Sequence, residues 1–328
     1  MNFDSLFQSF SNIKVAVIGD IMLDSYWWGH VDRISPEAPV PVVALDKREL
    51  RIGGAGNVAL NTISLGAPTT ILSVIGNDED GKQLTGLLSK NGIDTDYILT
   101  VPDRVTTNKT RIMSRNQQML RLDCEVATDL DETTENALLQ QVEQYFKAHQ
   151  PNVLIFEDYN KGVLTAKIIE KTIALCKQYN VRTAVDPKKK NFLAFKGVDI
   201  FKPNLKEVKE GLNLLLEEVN PPVLQKIHAE LSHILSHKIS LITLSEKGVF
   251  YQEGDTSKII PTHVRNIADV SGAGDTVIAV ASLVYATTHQ IELAADMANI
   301  AGGLVCEEVG TAAIQKEKFL KECNQLLS

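Results

Sequence analysis

The stretch Asp269-Val-Ser-Gly-Ala-Gly-Asp275 carries the residues best suited to holding a phosphoryl group during its transfer. An apolar run, Thr-Val-Ile-Ala-Val-Ala-Ser-Leu, follows directly and predicts a helix that starts at the second acid. Small residues let consecutive backbone N–H groups point into one space, and a helix start adds the positive end of its dipole. The motif therefore predicts an anion hole. Taken in isolation, Asp275 is more simply interpreted as a helix N-cap, but the elements below favour phosphoryl chemistry.

A second glycine-rich stretch, Gly53-Gly54-Ala-Gly56-Asn57, precedes another predicted helix. Glycines at such a position let a ligand approach the backbone closely. The Asn57 side chain both donates and accepts hydrogen bonds, which suits sugar hydroxyl groups. A tight turn with Asn57 as its cap explains the same residues, so both interpretations stay open.

A third element, Lys202-Pro-Asn204-Leu-Lys-Glu207, comes immediately after a predicted strand. Asn204 and Glu207 are three residues apart and therefore share one face of a helical turn. An amide oxygen and a carboxylate together suit Mg²⁺, which keeps most of its water ligands. The structural alternative is a capping box, and the two roles are compatible.

Two acids flank the end of the first predicted strand, in Gly19-Asp20-Ile-Met-Leu-Asp24. Carboxylates at this end of a strand bind sugar hydroxyls well, because each oxygen accepts a hydrogen bond from a vicinal diol. Asp20 and Asp24 are thus candidates for sugar binding, with surface caps as the open alternative.

Short apolar runs rich in β-branched residues alternate with helical patterns along most of the chain. This alternation predicts βαβ units, and hence an α/β fold with a mostly parallel sheet covered by helices on both faces. Ligands of such sheets bind beyond the carboxyl ends of the strands. The predicted strands are 14–19, 69–75, 153–156, 182–185, 200–202 and 241–244. The predicted helices are 57–65, 81–91, 133–148, 165–178, 224–237, 275–287 and 293–307.

Two segments, 26–52 and 100–125, break this rhythm with alternating polar and apolar residues. They predict antiparallel strands with one exposed face each, which form a small β sheet added to the main domain. An exposed sheet must be covered, either by a ligand or by a second subunit. Residues 1–328 show no internal repeat or low-complexity linker, so we predict a single domain.

The composition excludes several classes of protein. Of the 328 residues, 33 are Lys or Arg and 41 are Asp or Glu, so the formal net charge is −8. An acidic chain without a basic tail is a poor match for nucleic acid or an anionic membrane. The four cysteines are scattered, which argues against a disulfide framework or a zinc site. The N-terminus lacks an apolar leader, and the sequence predicts a soluble cytoplasmic enzyme.

Histidines and tryptophans suggest two further sites that we do not favour. His228, His233 and His237 have the types of metal ligands, but no supporting carboxylate accompanies them. We predict that they lie on the solvated face of a polar helix. Trp27 and Trp28 are expected to pack within the small sheet rather than to stack on nucleic-acid bases.

Together, the stretches 53–57, 204–207 and 269–275 resemble those of the ribokinase-type (pfkB-like) carbohydrate kinases, in the same order along the chain. The resemblance spans residues 14–311 and implies a ribokinase-like three-layer fold with a small β lid. Within the family, the likeness is greatest to the kinases of heptose 7-phosphate, in the stretches 19–27, 33–43, 116–121 and 269–279. It implies ATP-dependent phosphorylation of D-glycero-β-D-manno-heptose 7-phosphate at the anomeric hydroxyl. ATP and Mg²⁺ are the implied cofactors, a monovalent cation is left open, and a homodimer through the lid is implied.

The resemblance also implies roles for individual residues. Asp275 corresponds to the catalytic base, and the anion hole to the amides of Gly272, Ala273 and Gly274. The segment at ATP and its Mg²⁺ corresponds to Asn204, Leu205, Lys206 and Glu207, with Asn204 and Glu207 holding the metal through water. The nucleotide loop corresponds to Ser245, Glu246 and Gly248, and the adenine pocket to Asn299 and Gly302. The sugar-binding positions correspond to Asp20, Asp24, Gly54 and Asn57.

The sequence departs from the heptose kinases in Glu157-Asp158-Tyr159-Asn160-Lys161-Gly162, where those kinases usually have Ser-Asp-Tyr-Gly-Lys-Gly. Asp158 and Lys161 are retained, so a polar contact to the substrate is expected there. The 328 residues contain no His-x-Gly-His, the mark of the nucleotidyltransferase half of bifunctional members. We therefore expect phosphorylation without nucleotidyl transfer.

A phosphate on the sugar requires cations, which an acidic chain must concentrate locally. The candidates are Arg104, Lys109, Arg111 and Arg115 in the lid, with Lys161, Lys188, Lys189 and Lys190 opposite. Lys109 and Arg111 are two residues apart and share one strand face. Two other functions stay open: another ribokinase-type kinase of a sugar, sugar phosphate or nucleoside, and a non-catalytic sensor of sugars or nucleotides.

Overall fold

The apolar runs of the sequence become β strands. A computed structural model describes residues 2–115, 117–216 and 218–327, and Asn116, which begins one of the stretches used above, lies outside them. In chain order the strands are β1 (Val15–Gly19), β2 (Ile21–Ile34), β3 (Pro41–Gly54), β4 (Thr69–Gly76), β5 (Ile98–Val101), β6 (Asn108–Ser114), β7 (Gln117–Cys124), β8 (Val153–Glu157), β9 (Arg182–Asp186), β10 (Ile200–Phe201), β11 (Ile239–Thr243), β12 (Val249–Glu253) and β13 (Thr256–Ile260).

Within the described residues, nine strands form the main sheet in the order β13-β12-β11-β10-β9-β8-β1-β4-β5. The strands from β11 to β5 in this order run parallel, while β12 and β13 add an antiparallel hairpin at one edge. The predicted, mostly parallel sheet is confirmed. The sequence analysis does not predict β5, β12 or β13; of these, β5 and β13 are short and partly exposed and lack a buried apolar run.

The helices cover both faces of the main sheet. They are α1 (Phe3–Ser9), α2 (Ala55–Ser64), α3 (Glu79–Lys90), α4 (Glu132–His149), α5 (Ala166–Gln178), α6 (Leu205–Gly211), α7 (Pro221–Leu235), α8 (Ala273–Thr288), α9 (Ile291–Val305) and α10 (Lys316–Leu326). Successive residues of a strand point to opposite faces of the sheet. In β1, Val15 and Val17 pack in the core that contains α2, α8 and α9, whereas Ala16 and Ile18 pack in the core that contains α4, α5 and α7. This is the expected three-layer fold. Among the described residues, no helix is both long and apolar enough to span a membrane.

The second sheet has the strand order β3-β2-β6-β7 and corresponds to the predicted lid. Its strands occupy 21–54 and 108–124 rather than 26–52 and 100–125. The first six residues of β2 are buried, polar ones included, so no polar-apolar alternation marks them, and residues 100–101 belong to β5. One pairing also corrects the sequence analysis: β2 and β6 run parallel, whereas β2–β3 and β6–β7 are antiparallel.

The two faces of the lid sheet differ in character. Lys109 and Arg111 are two residues apart on β6, so their side chains point to the same face of the sheet. We call this face the inner lid face and define it by these two residues and their partners in the neighbouring strands, namely Asp24, Tyr26, Arg121 and Asp123. Trp27, Ile112 and Leu120 lie in register on the opposite, outer face, where Leu120 is 52% exposed. Charged residues therefore share the inner face, as the spacing of Lys109 and Arg111 predicts, and the outer face includes exposed apolar side chains.

Two of the three histidines do not lie where the sequence predicts. His228 lies on the buried face of α7, and His237 is buried in the turn after that helix. Ser240 Oγ is 2.9 Å from His228 Nδ1 and 2.7 Å from His237 Nε2. Burial lowers the pKa of His237 to about 4, so its ring is neutral near pH 7. Of the three, His233 is the exposed one, because α7 is amphipathic rather than polar on all sides.

Gly248 offers a test of the backbone that connects β11 to β12. Its φ is +96°, and a Cβ there would lie 1.9 Å from the Ile260 carbonyl oxygen. Gly248→Ala should therefore lower the free energy of unfolding by about 2 kcal/mol or more. The matched control is Gly86→Ala in α3, where a Cβ meets nothing within 4 Å and should stabilise the helix slightly. Chemical denaturation of both variants measures the difference; equal effects would contradict this account.

Candidate active site

Acidic side chains from two neighbouring strands meet beside the start of α8. Glu157 ends β8 and Asp186 ends β9, and because these strands are parallel, both acids lie at the same edge of the sheet. Asp275, in the first turn of α8, approaches the same edge. The three residues are buried, and one carboxylate oxygen from each lies within 4.8 Å of the other two. This cluster is the centre of the candidate site.

Asp275 is held in place by two side-chain donors. The Tyr159 hydroxyl donates to Oδ1 (2.7 Å), and Asn57 Nδ2 donates to Oδ2 (2.8 Å). Burial raises the pKa of Asp275, although the hydrogen bonds from Asn57 and Tyr159 oppose that rise. A carboxylate with a raised pKa is a stronger base than an ordinary aspartate. The two glycine-rich motifs therefore meet at one basic, oriented carboxylate. Tyr159 is a residue that sequence analysis missed, although it lies within the quoted 157–162 stretch.

The helix start corrects two details of the predicted anion hole. α8 begins before Asp275, and Gly272, with φ +79°, occupies the N-cap position instead of Asp275. The Ala273 N–H donates to a backbone carbonyl of the preceding turn (3.3 Å), so it is already engaged. The Gly274 N–H lies in the first turn, where helix geometry leaves it without a helical acceptor. Gly272 and Gly274 therefore remain the candidate donors next to the helix dipole.

Lys202, which follows β10, is a buried cation that sequence analysis did not single out. Its Nζ lies 2.5 Å from Asp186 Oδ2 and 3.4 Å from the Gly274 carbonyl oxygen. Burial alone would raise the pKa of Asp186, but Lys188 and Lys202 together lower it below its ordinary value. The sequence could have pointed to Lys202, because it directly follows an apolar strand and precedes the quoted Pro-Asn pair. Lys202 thus brings a fixed positive charge to the start of α8.

The segment from Asn204 to Glu207 forms a capping box at the start of α6. Asn204 Oδ1 accepts from the Glu207 N–H and Glu207 Oε2 from the Asn204 N–H, both at 2.8 Å. Glu207 Oε1 is also 2.6 Å from Lys188 Nζ. Leu205 packs against the core, whereas the Lys206 side chain is 84% exposed. The capping box expected for this motif is therefore confirmed, and the binding of Mg²⁺ by Asn204 and Glu207 stays a prediction.

Glu157 stands where the heptose kinases usually have serine, and its carboxyl group is unpartnered. Both oxygens are buried without a hydrogen-bond donor among the described residues. Burial raises the pKa of Glu157 well above its ordinary value, and the charges of Asp186 and Asp275 raise it further. Clusters of carboxylate oxygens suit Mg²⁺. Glu157, Asp186 and Asp275 are therefore a second possible ligand set, which sequence spacing could not reveal.

Asp20 organises the loop that follows β8. Its carboxylate accepts N–H hydrogen bonds from Tyr159 (2.9 Å), Lys161 (3.0 Å) and Val163 (3.1 Å). Burial raises the pKa of Asp20, and these backbone donors counteract that effect. The structure therefore favours a positioning role over the expected sugar contact, because both carboxylate oxygens already serve the backbone.

Asn160, a changed residue of this loop, is held by a hydrogen bond within the loop. Asn160 replaces the usual glycine and adopts φ +54°, a left-handed conformation that asparagine tolerates better than most residues. The Asp158 carboxylate accepts hydrogen bonds from the Asn160 N–H (2.8 Å) and from Asn191 Nδ2 (3.0 Å). Burial raises the pKa of Asp158 to about 6. Asp158 is thus engaged inside the loop, which argues against the expected substrate contact.

The sugar-binding candidates of the lid lie around an ion pair. Arg111 Nη1 is 2.6 Å from Asp24 Oδ1, and the Thr311 hydroxyl donates to Asp24 Oδ2 (3.3 Å). Gly54 ends β3 with φ +59°, and a Cβ there would lie 2.3 Å from the Asp20 carbonyl oxygen. These contacts place the candidates on the lid side of Asp275.

The residues expected at the nucleotide lie further along the row of strands. Ser245, Glu246 and Gly248 belong to the turn between β11 and β12, where Ser245 and Glu246 are exposed. Asn299 Nδ2 donates to a backbone carbonyl of the loop after β13 (2.8 Å). Gly302 lies where α9 meets α8, and a Cβ there would be 2.8 Å from a valine side chain of α8. Because β10 and β9 separate β11 from β8, the nucleotide and sugar candidates lie on opposite sides of the acidic cluster.

Comparison with known proteins identifies the class. The sequence profile of the pfkB family carbohydrate kinases matches residues 12–318. The chain belongs to this family, and it is a sugar-phosphorylating transferase with a ribokinase-like fold.

Individual relatives refine the comparison. Bifunctional protein HldE of Geobacter sulfurreducens is 37% identical and that of Trichlorobacter lovleyi 38% identical, each over 97% of this chain. The chain spans 64% of the length of each of these relatives. Phosphofructokinase-2 from Escherichia coli in complex with potassium has a TM-score of 0.80 at 19% identity, covering 96% of this chain and 100% of that one. Arabidopsis thaliana ribokinase complexed with ribose and ATP has a TM-score of 0.72 at 17% identity, covering 94% and 99%. These structural neighbours support the fold.

Glu157→Gln should change how stability depends on pH. The pKa of Glu157 is raised above the ordinary 4.5 in the folded state, so the wild type loses stability as pH rises above 4.5 toward the folded pKa. In that window the unfolded chain releases a proton that the folded protein retains. Glutamine does not titrate, so the variant does not lose stability in this way, and the difference in Tm between variant and wild type should increase with pH. Thermal unfolding across pH tests this, with exposed Glu230→Gln as control; a constant difference would refute it.

Tyr159→Phe should remove the hydroxyl donor while keeping the ring. The pKa of Asp275 should then rise further, because the hydrogen bond from Tyr159 lowers it. The acid limb of the pH profile of kcat/KM should move to higher pH, with less effect where Asp275 is deprotonated in both enzymes. Tyr97→Phe, whose hydroxyl lies 3.0 Å from His149 Nε2, is the matched control. An unmoved acid limb would show that Tyr159 does not position the base.

Proposed function

We propose that this chain transfers the γ-phosphoryl group of ATP to the anomeric hydroxyl of D-glycero-β-D-manno-heptose 7-phosphate, which gives heptose 1,7-bisphosphate. The observation that carries the proposal is the buried Asp275 carboxylate, fixed by Asn57 and Tyr159 at the start of α8. Similarity to two HldE proteins supports the heptose substrate over other sugars. The product would then serve ADP-heptose and lipopolysaccharide core synthesis in the cytoplasm.

Asp275 is placed to accept the proton of the attacking hydroxyl. Asn57 and Tyr159 each hold one carboxylate oxygen, so the orientation of the base is fixed before the substrate arrives. In a loose phosphoryl-transfer transition state, the proton moves late, and a moderately basic carboxylate suffices.

Positive charge on the nucleotide side comes from the start of α8 and from Lys202. The first-turn amides and the helix dipole favour an anion at this point. Lys202 Nζ lies 3.4 Å from the Gly274 carbonyl oxygen and is neutralised in part by Asp186. Charge that develops on the transferred group would therefore be stabilised by fixed dipoles and one buried ammonium.

Magnesium fits the residues at the strand ends. The unpartnered oxygens of Glu157, next to Asp186, are hard ligands without another donor in the described chain. Asn204 and Glu207 remain the alternative holders, through water. Bound with ATP, the ion would supply positive charge to the phosphates. A monovalent cation stays among the proposed cofactors, since a structural neighbour is a complex with potassium.

The outer face of the lid supports the proposed homodimer. Leu120 and Leu122 on β7 are 52% and 48% exposed, and Leu45 on β3 is 44% exposed. Apolar side chains of a sheet favour burial against a partner, and a second copy would cover this face.

Asp275→Asn should keep the shape of the site but remove the base. Turnover with heptose 7-phosphate should fall by about 10²- to 10⁴-fold, while ATP affinity and thermal stability are retained. Asp255→Asn, in the exposed turn between β12 and β13, is the matched control and should leave turnover unchanged. Steady-state phosphorylation assays measure turnover, isothermal titration measures ATP affinity, and thermal unfolding measures stability. Near-normal turnover in Asp275→Asn would contradict the assigned role.

The substrate itself requires a separate comparison. Heptose 7-phosphate should give the highest kcat/KM when compared with fructose 1-phosphate and with nucleosides under identical conditions. A preference for either of the latter would replace the heptose proposal while leaving the sugar-kinase class intact.

A further inference from the structure

Most cations at the inner lid face and in the adjacent loops are paired with a carboxylate of their own. The ion pairs are Arg111–Asp24 (2.6 Å), Arg121–Asp123 (2.8 Å), Lys161–Glu125 (2.7 Å), Lys188–Glu207 (2.6 Å) and Lys190–Asp129 (2.5 Å). Such pairs leave little net charge for a ligand. Candidates from the sequence such as Arg111 and Lys188 are therefore less suited to hold a phosphate than their charge alone suggests.

Lys109 and Arg104 lack such a partner among the described residues, but Arg104 Nη2 donates to the Lys161 carbonyl oxygen, which leaves Lys109 as the freer cation. No carboxylate of the described chain lies within ion-pair distance of its ammonium group, which is 5.6 Å from the centre of the Tyr159 ring. Asp123, its cross-strand neighbour, is engaged by Arg121 through both oxygens (2.8 and 2.9 Å). Burial lowers the pKa of Lys109 and the nearby charge of Lys161 lowers it further, while the charges of three carboxylates, those of Glu125, Asp24 and Asp123, oppose the fall. A half-buried ammonium near a second one is unfavourable unless an anion joins them.

We propose that Lys109, with the nearby Lys161, binds a phosphate monoester carried by the acceptor sugar, at the end far from the hydroxyl that is phosphorylated. This inference rests on the proposed function, because it names the group of that substrate which the lid recognises. A phosphate dianion accepts hydrogen bonds from two ammonium groups at once. Glu125, which pairs with Lys161 at 2.7 Å, supplies one negative charge against two ammonium groups, so Lys109 and Lys161 together retain net positive charge for the ligand.

Tyr159 explains why the phosphate lies far from the reacting hydroxyl. The Lys109 ammonium lies against the ring of Tyr159, whereas the hydroxyl of the same residue donates to Asp275 (2.7 Å). The aromatic ring therefore separates the anion subsite from the base. A sugar whose phosphate and acceptor hydroxyl are at opposite ends of the molecule spans this separation. A sugar without the phosphate leaves Lys109 uncompensated.

Lys109→Met tests the proposal, because methionine keeps an unbranched apolar chain against Tyr159 and removes the charge. We expect kcat/KM for heptose 7-phosphate to fall by about 10- to 100-fold, mainly through KM, since a charge-assisted contact is lost. The same constant for heptose without the phosphate should change less than threefold. Lys109→Arg should restore part of the loss. Lys82→Met, at a lysine with a 72% exposed side chain, is the matched control.

The outcomes separate this inference from the proposed function. Equal losses for the phosphorylated and unphosphorylated sugar in Lys109→Met would overturn the phosphate subsite while the kinase proposal stands. If another phosphorylated sugar is preferred and still depends on Lys109, the subsite stands and the heptose proposal falls. If the wild type prefers unphosphorylated acceptors, the subsite is overturned together with the heptose substrate. Thermal unfolding of each variant confirms that the fold is retained.

Discussion

An excess of buried negative charge is the constraint on which the rest of the site depends. Among the described residues, the buried carboxyl groups of Glu157, Asp186, Glu207 and Asp275 lie near one another at this edge of the sheet, and the ammonium groups of Lys188 and Lys202 pair with Asp186 and Glu207. Buried charge without compensation is costly, so the excess must be reduced by a retained proton or a bound cation. Both the raised pKa of Glu157 and the fit of Mg²⁺ follow from this imbalance.

Much of this arrangement could be predicted from the sequence, because its signals are local. The apolar runs and helical patterns determine a parallel sheet, and a parallel sheet brings the residues after its strands to one edge. Glycine-rich stretches next to Asn57 and Asp275 mark where backbone and ligand come close, and these two side chains do meet. The capping box at Asn204 and Glu207 was also open to prediction, since it depends on a three-residue spacing.

The residues that were missed or misinterpreted depend on contacts between distant segments. Tyr159 reaches Asp275 across 116 positions of the chain, and Asp20 accepts the Tyr159 N–H across 139. No spacing rule reveals such partners. His228 was misjudged for a related reason, because the polar residues of α7 conceal a buried face that only the packed sheet defines. Likewise, the sequence cannot show that Arg111 and Lys188 form ion pairs whereas Lys109 has no carboxylate at ion-pair distance among the described residues. That difference depends on how the lid packs against the core.

Asp20 has a consequence for how this enzyme can diversify. It is the single residue between β1 of the main sheet and β2 of the lid. Its own N–H and carbonyl bond to Glu157 and Ala55, while its carboxylate fastens the loop that carries Tyr159. The lid and the loop that carries Tyr159 are thus joined through one hydrogen-bonded residue. If the lid recognises the acceptor and Asp275 is the base, as we propose, replacement of lid side chains would change acceptor preference while the contacts of Asp275 are kept, whereas a change at this junction would disturb both at once.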